Sequence, residues 1–307
     1  MKKSYRFTLL MIVLFCLTFS SCSLLNGTSE YTIDYHSFYP PVPIPPADAE
    51  AKKTFRPGRT GDFITITRAD GTRVSGYVTH NKDFLENVIK PEIEPYIETL
   101  KEMHPVEQIN ALTIFGHGIY RKYFYPDTFS WGGDLLDLDD PQDHGPAYKN
   151  RYGFDCSGFA TMPYELAVYL GLMNPEEESA IFSSKGFQKY ANQHDIQDTG
   201  GRVKTSNRFR VDTNDMKKLG RDIMTIPANS EPHNIDVKKL QPGDIVLLPE
   251  GHAGIVVEIN NGLYYLESGG YVCPPHDNLP YELAPALSLF SEKGDLVIKR
   301  SLPDRKN

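Results

Sequence analysis

The stretch that decides the fold is GFDCSGFATMPYELAVYLG, residues 153–171. Its apolar residues recur at intervals of three and four, which is the spacing of one face of an α-helix. They are Phe159, Met162, Leu166, Ala167 and Leu170. The spacing predicts a helix that begins at Cys156 and stops at Gly171, because glycine commonly follows a last helical turn. Pro163 lies inside this stretch and is expected to kink the helix or to loosen its first turns.

Cys156 is expected in the first turn of this helix, beside backbone N–H groups that have no partner within the helix. These groups and the positive end of the helix dipole stabilise a thiolate over a thiol, and the thiolate is the nucleophilic form of cysteine. The same N–H groups can bind the oxyanion of a tetrahedral intermediate. Asp155 suits the N-cap position by residue type. The alternative is a small buried cysteine that only packs.

Short β-strands are predicted in the C-terminal part of the chain. Their ranges are Asp244–Leu248, His252–Ile259, Leu263–Leu266 and Asp295–Arg300. An Asn261-Gly262 pair between the second and the third predicts a hairpin. Residues 172–240 are polar and have few periodic features. A helix followed by a meander of strands is typical of an α+β domain with an antiparallel sheet.

A nucleophilic cysteine needs a base, and His252, at the start of a predicted strand, is the best candidate among nine histidines. It lies 96 residues beyond Cys156, so only the fold can bring the two side chains together. A single histidine beside a strand is more often a surface or core imidazole. Residue type alone leaves both interpretations open.

Four sequence blocks resemble the NlpC-type family of cell-wall cysteine peptidases. They are Trp131-Gly132-Gly133, Asp155-Cys156-Ser157-Gly158, Pro242-Gly243-Asp244 and Gly251-His252-Ala253-Gly254-Ile255-Val256. The resemblance covers about residues 105–300. It implies a papain-like α+β fold, in which a cysteine on a helix packs against a sheet that presents the histidine. It also implies hydrolysis of peptidoglycan stem peptides, often between D-glutamate and the diamino acid, with no cofactor and no metal.

The resemblance also implies roles for individual residues. Cys156 matches the nucleophile, and His252 matches the base that later acts as the acid. Asp155 and Ser157 match positions that help to bind substrate, and Trp131 belongs to the block that precedes the cysteine and is expected to do the same.

Glu267 matches best the third catalytic position of that family, a polar residue on the strand after the histidine. A carboxylate there can hold one imidazole tautomer and stabilise the imidazolium. With Asn261-Gly262 as the loop, Glu267 pairs with Val256. That places it four residues from His252, roughly 13 Å, so a bulge or strong twist must shorten the gap. In the alternative, Glu267 is a solvent-facing strand end, and a backbone carbonyl or a water molecule orients His252.

Several alternatives stay open at the level of the sequence. Related CHAP-type amidases use glutamate at the third position, so cleavage of the muramoyl–alanine amide is the rival activity. A wall-binding lipoprotein with an inactive site is the rival from another class. Cys273 and His276 have Cys-x-x-His spacing that suggests zinc, but no second cysteine pair accompanies them. A Cys156–Cys273 disulfide would silence the nucleophile.

The first residues have the features of a secretory signal. Three basic residues precede a 13-residue apolar run, Phe7–Phe19, which is too short to span a bilayer. The small residues before Cys22 resemble a bacterial lipoprotein signal over residues 1–21, in which Cys22 becomes the lipidated N-terminus. An ordinary signal peptide with an incidental cysteine nearby is the alternative.

Composition predicts the remaining organisation. Five prolines between residues 40 and 46 predict a Pro-rich tether over 22–60. An Asp70-Gly71 turn predicts a hairpin within a small hairpin and helix region over 61–104. The peptidase domain is expected over 105–307, with a long insertion at about 172–240. Its basic residues Arg202, Lys204, Arg208 and Arg210 suggest a lid over the site, with an exposed basic loop as the alternative.

The chain has 32 Lys+Arg against 40 Asp+Glu, and a net charge of −8 disfavours nucleic-acid binding. These features predict a monomer of the bacterial cell envelope that is lipid-anchored, faces the periplasm, and sits on the outer rather than the inner membrane. Its expected partners are peptidoglycan peptides and, through the lipid, the membrane.

Overall fold

The computed structural model describes residues 63–67, 73–77, 85, 89–124, 155–194, 211–268 and 280–305. Within these ranges the chain combines helices with a six-stranded antiparallel sheet and a two-stranded pair, so the predicted α+β class is confirmed. Several predicted features lie outside the described residues. They are the signal peptide with Cys22, the Pro-rich tether, Trp131, the basic residues 202–210, and Cys273 with His276.

Seven helices are assigned within the described residues. They are α1 (Lys90–Ile93), α2 (Ile97–Glu102), α3 (Pro105–Phe124), α4 (Cys156–Tyr169), α5 (Ser184–Gln193), α6 (Thr213–Met216) and α7 (Leu283–Ser291). A short 3-10 segment that contains Pro95 separates α1 from α2, and Pro91 lies in the first turn of α1. Pro95 therefore lies where the helical run is interrupted, because a proline removes a backbone donor, whereas Pro91 is tolerated in a first helical turn.

The strands form two antiparallel groups. They are β1 (Phe63–Thr67), β2 (Arg73–Tyr77), β3 (Arg221–Ile226), β4 (Ile245–Leu248), β5 (His252–Ile259), β6 (Gly262–Glu267), β7 (Tyr281–Glu282) and β8 (Leu296–Arg300). The pair β1–β2 confirms the predicted hairpin. The larger sheet has the order β3–β8–β4–β5–β6–β7. The four strands predicted from the sequence are present in it, with ends that differ by at most one residue.

Helix α4 begins at Cys156, as predicted, and Gly171 follows its end in a left-handed conformation with φ 69°. Its first turn is well formed, because the N–H of Phe159 donates to the carbonyl of Asp155 at 3.0 Å. The helix continues through Pro163, so the prediction that this proline loosens the first turns is wrong. The lost hydrogen bond is offset by packing, because Pro163 is buried and its helix packs against α3 and β5.

Helices α3 and α4 pack against each other and against β5. At Gly116 of α3, an added Cβ would overlap the side chain of Met162 on α4, so the glycine allows the close approach. The side-chain amide of Asn110 donates to the carbonyl of Glu258 at 3.1 Å and accepts from its N–H at 2.9 Å. Glu258 lies in the part of β5 that extends past its pairing with β4, and Asn110 provides the hydrogen-bond partners for its backbone there. This contact joins α3 to the sheet.

The Pro242-Gly243-Asp244 turn joins α4 to the sheet. Gly243 adopts φ 89°, and its carbonyl accepts a hydrogen bond from the buried hydroxyl of Tyr164 on α4 at 2.6 Å. Asp244 is fully buried and binds the guanidinium of Arg300 through two contacts of 2.6 and 2.8 Å. Burial raises the pKa of Asp244, and Arg300 counteracts the rise. A buried carboxylate in this turn is tolerated because its charge is paired.

One face of the sheet packs against helix α7. Leu283, Leu287 and Phe290 of this helix form a buried cluster with residues such as Val256 of β5 and Tyr265 of β6. The ring of Tyr265 lies 4.8 Å from that of Phe290, centroid to centroid. The centre of the sheet, β4 and β5, is buried along nearly its whole length. The strand that begins at His252 therefore rests on a packed core.

Residues 172–194 and 211–240, the described parts of the predicted insertion, contain more regular structure than their sequence predicts. Helix α5 starts at a capping Ser183, and buried Glu165 of α4 accepts hydrogen bonds from the N–H and the hydroxyl of Ser184. Strand β3 pairs with β8 and forms an edge of the sheet. Because β3 is half exposed and short, its residues lack the apolar alternation of a buried strand. The segment therefore supplies an edge strand to the six-stranded sheet.

The hairpin between β5 and β6 has a different loop from the predicted Asn261-Gly262. Asn260 and Asn261 form it, with φ 49° and 62°, while Gly262 already pairs with Ile259. Asparagine tolerates the left-handed conformation that a two-residue hairpin turn requires at both positions. The shift of one residue in the loop changes the pairing of the two strands by two residues.

Candidate active site

The N-terminus of α4 presents the thiol of Cys156. Asp155 is the N-cap residue, with extended backbone angles, and its carboxylate accepts from the N–H of Gly158 at 2.7 Å and from the hydroxyl of Ser157 at 2.8 Å. The prediction that Asp155 caps the helix is confirmed. Cys156 is a free thiol with 7% of its surface exposed. A cap that orders the first turn therefore places the sulfur beside N–H groups that lack helical acceptors.

His252 and Glu267 lie on neighbouring strands and share one face of the sheet. The sequence predicts that Glu267 pairs with Val256, and this prediction is wrong. Glu267 pairs with Gly254, because the loop is Asn260-Asn261. The register places Glu267 two residues, not four, from the position opposite His252. Side chains on a diagonal of this kind are within reach of each other without any bulge.

The two side chains make a direct contact. Nε2 of His252 lies 2.7 Å from Oε2 of Glu267, and the two residues are 9% and 1% exposed. The interpretation of Glu267 as a solvent-facing strand end is therefore wrong. Since each ring nitrogen makes one in-plane hydrogen bond, the contact with Glu267 leaves Nδ1 for another partner.

The second group that acts on the His252 ring is the side chain of Cys156, which raises the pKa of the imidazole by hydrogen bonding, as Glu267 also does. Helix α4 packs against β5 and β6, the strands that carry the other two side chains. The fold thus connects three residues that are 96 and 15 positions apart along the chain.

The electrostatics of the site favour a charged imidazole. Burial lowers the pKa of His252, but hydrogen bonds to Cys156 and Glu267 and the negative charge of both partners raise it more, to about 10. An imidazolium at His252 is thus stable at neutral pH beside the Glu267 carboxylate. A cation next to a cysteine side chain favours the nucleophilic form of the sulfur.

Tyr265 completes the site, and sequence reasoning missed it. Its hydroxyl donates to Oε2 of Glu267 at 2.9 Å, and its side chain is fully buried. Burial, followed by the charge of Glu267, raises the pKa of Tyr265 well above its usual value, so the hydroxyl keeps its proton. Its position two residues before Glu267, on the same strand face, is the feature that points to it in the sequence.

The predicted substrate-binding residues have separate positions. Asp155 and Ser157 lie at the cysteine, both nearly buried, and bind each other as described. Their contact with substrate stays a prediction. Trp131 lies outside the described residues, and so does Cys22, the predicted lipidation site.

No cluster of three or more histidine, cysteine, aspartate or glutamate side chains among the described residues is arranged to hold a metal ion. No helix in that part of the chain combines the length and the apolar composition needed to cross a membrane.

The fold and the site together define an α+β domain in which a cysteine at a helix start, a histidine and a buried carboxylate form one hydrogen-bonded series. Comparisons of the chain with family models, with curated proteins and with solved structures found no match. The geometry of the three side chains therefore carries the functional argument.

Proposed function

We propose that the chain is a cysteine peptidase with a papain-like domain of the NlpC type, which hydrolyses peptidoglycan stem peptides. The single observation that carries the proposal is the series of contacts from Cys156 through His252 to Glu267. A cysteine that only fills space does not need a histidine and a carboxylate in line with it. Burying such ionisable groups costs stability, so their presence favours a chemical role.

The first half of the proposed reaction forms a thioester. The Cys156 thiolate attacks the carbonyl carbon of the scissile amide, and backbone N–H groups at the start of α4 stabilise the oxyanion. His252 then gives the proton on Nδ1 to the leaving nitrogen, the C–N bond breaks, and the amine product departs. The acyl group stays on sulfur, and the imidazole is neutral.

The second half of the reaction restores the enzyme. A water molecule attacks the thioester while neutral His252 accepts its proton. The C–S bond breaks, the carboxylic acid product leaves, and the thiolate and imidazolium are regenerated. Glu267 acts in both halves by holding Nε2, so that the imidazole keeps one orientation and the imidazolium is stabilised.

The substrate class rests on the four sequence blocks and on their order. They favour cleavage between D-glutamate and the diamino acid of the stem peptide, in remodelling or recycling of the cell wall. We place the protein at the periplasmic side of the envelope, attached by lipid on Cys22, most simply to the outer membrane. The chemistry requires no cofactor or metal, and we expect a monomer that does not bind nucleic acid.

A second activity is favoured by one specific observation. The carboxylate at the third position, in hydrogen-bond contact with His252, is the residue type that CHAP-type amidases use there. Cleavage of the bond between N-acetylmuramic acid and L-alanine is therefore the rival reaction. A catalytically silent wall-binding lipoprotein is the third candidate, and the hydrogen-bonded cysteine and histidine argue against it because binding alone does not require them.

The experiment that separates these candidates is mass analysis of muropeptides treated with the purified full chain in detergent. A new amino group on the diamino acid identifies the peptidase, and release of the whole stem peptide from the glycan identifies the amidase. The Cys156→Ala variant is the matched control and is expected to release neither product. An unchanged muropeptide profile with the wild-type chain would overturn both activities and leave the wall-binding candidate.

A further inference from the structure

Tyr265 makes a contact that the proposed reaction does not require. Its hydroxyl reaches Oε2 of Glu267 at 2.9 Å, and the same oxygen lies 2.7 Å from Nε2 of His252. The ring is fully buried and packs on Phe290 of α7. One carboxylate oxygen thus faces two donors, one from the reacting side of the site and one from the hydrophobic core.

Gly254 provides the space for this arrangement. It lies on β5 directly opposite Glu267, and a Cβ added there would overlap the Tyr265 ring and its hydroxyl oxygen. Gly254 does not have a positive φ, so the backbone conformation itself does not demand a glycine. The absence of a side chain is instead what lets the ring lie across β5 and reach the carboxylate.

We propose that Tyr265 is a positioning residue, whose hydroxyl fixes the Glu267 carboxylate with Oε2 directed at His252, and that Gly254 makes room for its ring. The inference rests on the proposed function, because it concerns the same site. A glutamate side chain has several rotatable bonds, and a single contact to His252 does not determine its orientation. The second donor does so, since its own position is set by the packing of β6 against α7.

The competing explanation is structural, in which the buried hydroxyl simply uses the nearest acceptor. The two explanations differ in what Tyr265 does to His252 and, through it, to Cys156. The ionisable groups that act on this part of the site come from four elements, namely Cys156 of α4, His252 of β5, Glu267 of β6 and Tyr281 of β7. A change in their mutual placement alters the pH range over which the thiolate exists.

The test is the rate at which iodoacetamide alkylates Cys156 as a function of pH, read by mass spectrometry on the peptide that contains it. This measurement needs no substrate, so it is independent of which bond the enzyme cleaves. The variants are Tyr265→Phe, which removes only the hydroxyl, and Tyr164→Phe as a matched control. Tyr164 is equally buried, and the substitution removes its hydrogen bond to the carbonyl of Gly243 and its hydrogen bond with Ser301.

In Tyr265→Phe the carboxylate is free to turn away, so the imidazolium and the thiolate are both less stable. We expect the acidic limb of the alkylation profile to move up by about one pH unit, kcat to fall about tenfold, and KM to stay within about twofold. Tyr164→Phe is expected to lose stability but to keep the wild-type profile. Gly254→Ala is expected to reproduce the shift, because its methyl group displaces the ring.

An unchanged profile in Tyr265→Phe would overturn the proposal, and so would a downward shift, since it would mean that Tyr265 competes with His252 for the oxygen. An equal shift in Tyr164→Phe would assign the effect to lost stability. Failure of the proposed function alone gives a different result: wild-type Cys156 would be alkylated at pH values well below the usual thiol pKa, but muropeptides would not be hydrolysed. If wild-type Cys156 were alkylated only as an ordinary thiol ionises, both the proposed nucleophile and this inference would be overturned.

Discussion

Replacing Glu267 by glutamine tests the role of the carboxylate with little change in shape. The amide oxygen can still accept hydrogen bonds from His252 and Tyr265, but the negative charge is lost. We expect kcat to fall and KM to stay nearly unchanged, because the charge stabilises the imidazolium during the reaction and does not touch the substrate. Glu267→Gln is expected to retain more activity than Glu267→Ala, and His252→Ala is expected to be the least active, since it lacks the proton acceptor.

The magnitude follows from the contacts of Glu267. Hydrogen bonds to charged groups contribute about 1.5–3 kcal/mol and neutral ones about 1 kcal/mol. The difference, about 0.5–2 kcal/mol, corresponds to a loss of about 2- to 30-fold in kcat for Glu267→Gln. In Glu267→Ala two buried donors, on His252 and Tyr265, lose their acceptor. Each costs about 1–3 kcal/mol, so the free energy of unfolding is expected to fall by about 2–6 kcal/mol.

The assay is kcat and KM on one stem-peptide substrate, with thermal unfolding to show that each variant is folded at the assay temperature. Ser268→Ala is the matched control, because Ser268 is the next residue, is fully buried, and points to the other face of the chain. Its kcat is expected to be near that of the wild type. Wild-type kcat in Glu267→Ala, or a larger loss in Ser268→Ala, would refute the assignment of Glu267.

Three further predictions concern the other residues. Cys156→Ala is expected to abolish hydrolysis while its circular dichroism spectrum stays that of the wild type. Cys156→Ser is expected to be nearly inactive, because a hydroxyl is far less acidic than a thiol. Turnover by folded Cys156→Ala would contradict the mechanism. The pKa of His252 rises from 6.5 to about 10 on folding. The positive charge of His252 therefore stabilises the folded state fully below pH 6.5. In chemical unfolding, the wild type should have a larger free energy of unfolding than His252→Gln, and this difference should vanish as the pH approaches 10. Cys22→Ala is expected to lose membrane association, and equal pelleting of both chains through a high-salt wash would exclude lipidation.

The start of α4 could be predicted because its determinants are local. An N-cap aspartate, small residues in the first turn and apolar residues at helical spacing all lie within a few positions of Cys156. The strand that begins at His252 was predictable for the same reason, from its own β-branched residues Ile255, Val256 and Val257. These two elements suffice to suggest which residues could be the nucleophile and the base.

Long-range packing decided what the local pattern left open. Asn260, Asn261 and Gly262 all tolerate left-handed angles, so turn preferences alone allow more than one loop. The choice between loops moves Glu267 by two residues relative to His252, and only the folded sheet resolves it. Likewise, β3 is too exposed to show a strand pattern and forms because β8 offers it a partner.

The sequence by itself determined the capped helix start at Cys156, the strand beginning at His252 and the α+β class, since each depends on neighbours in the chain. The tertiary structure alone decided that Glu267 meets Nε2 of His252 and that the Tyr265 hydroxyl shares its oxygen. Those contacts depend on strand register and on a glycine opposite the ring, which are properties of chain segments far apart in sequence. Burial then sets their chemistry, because the same groups exposed to water would interact only weakly.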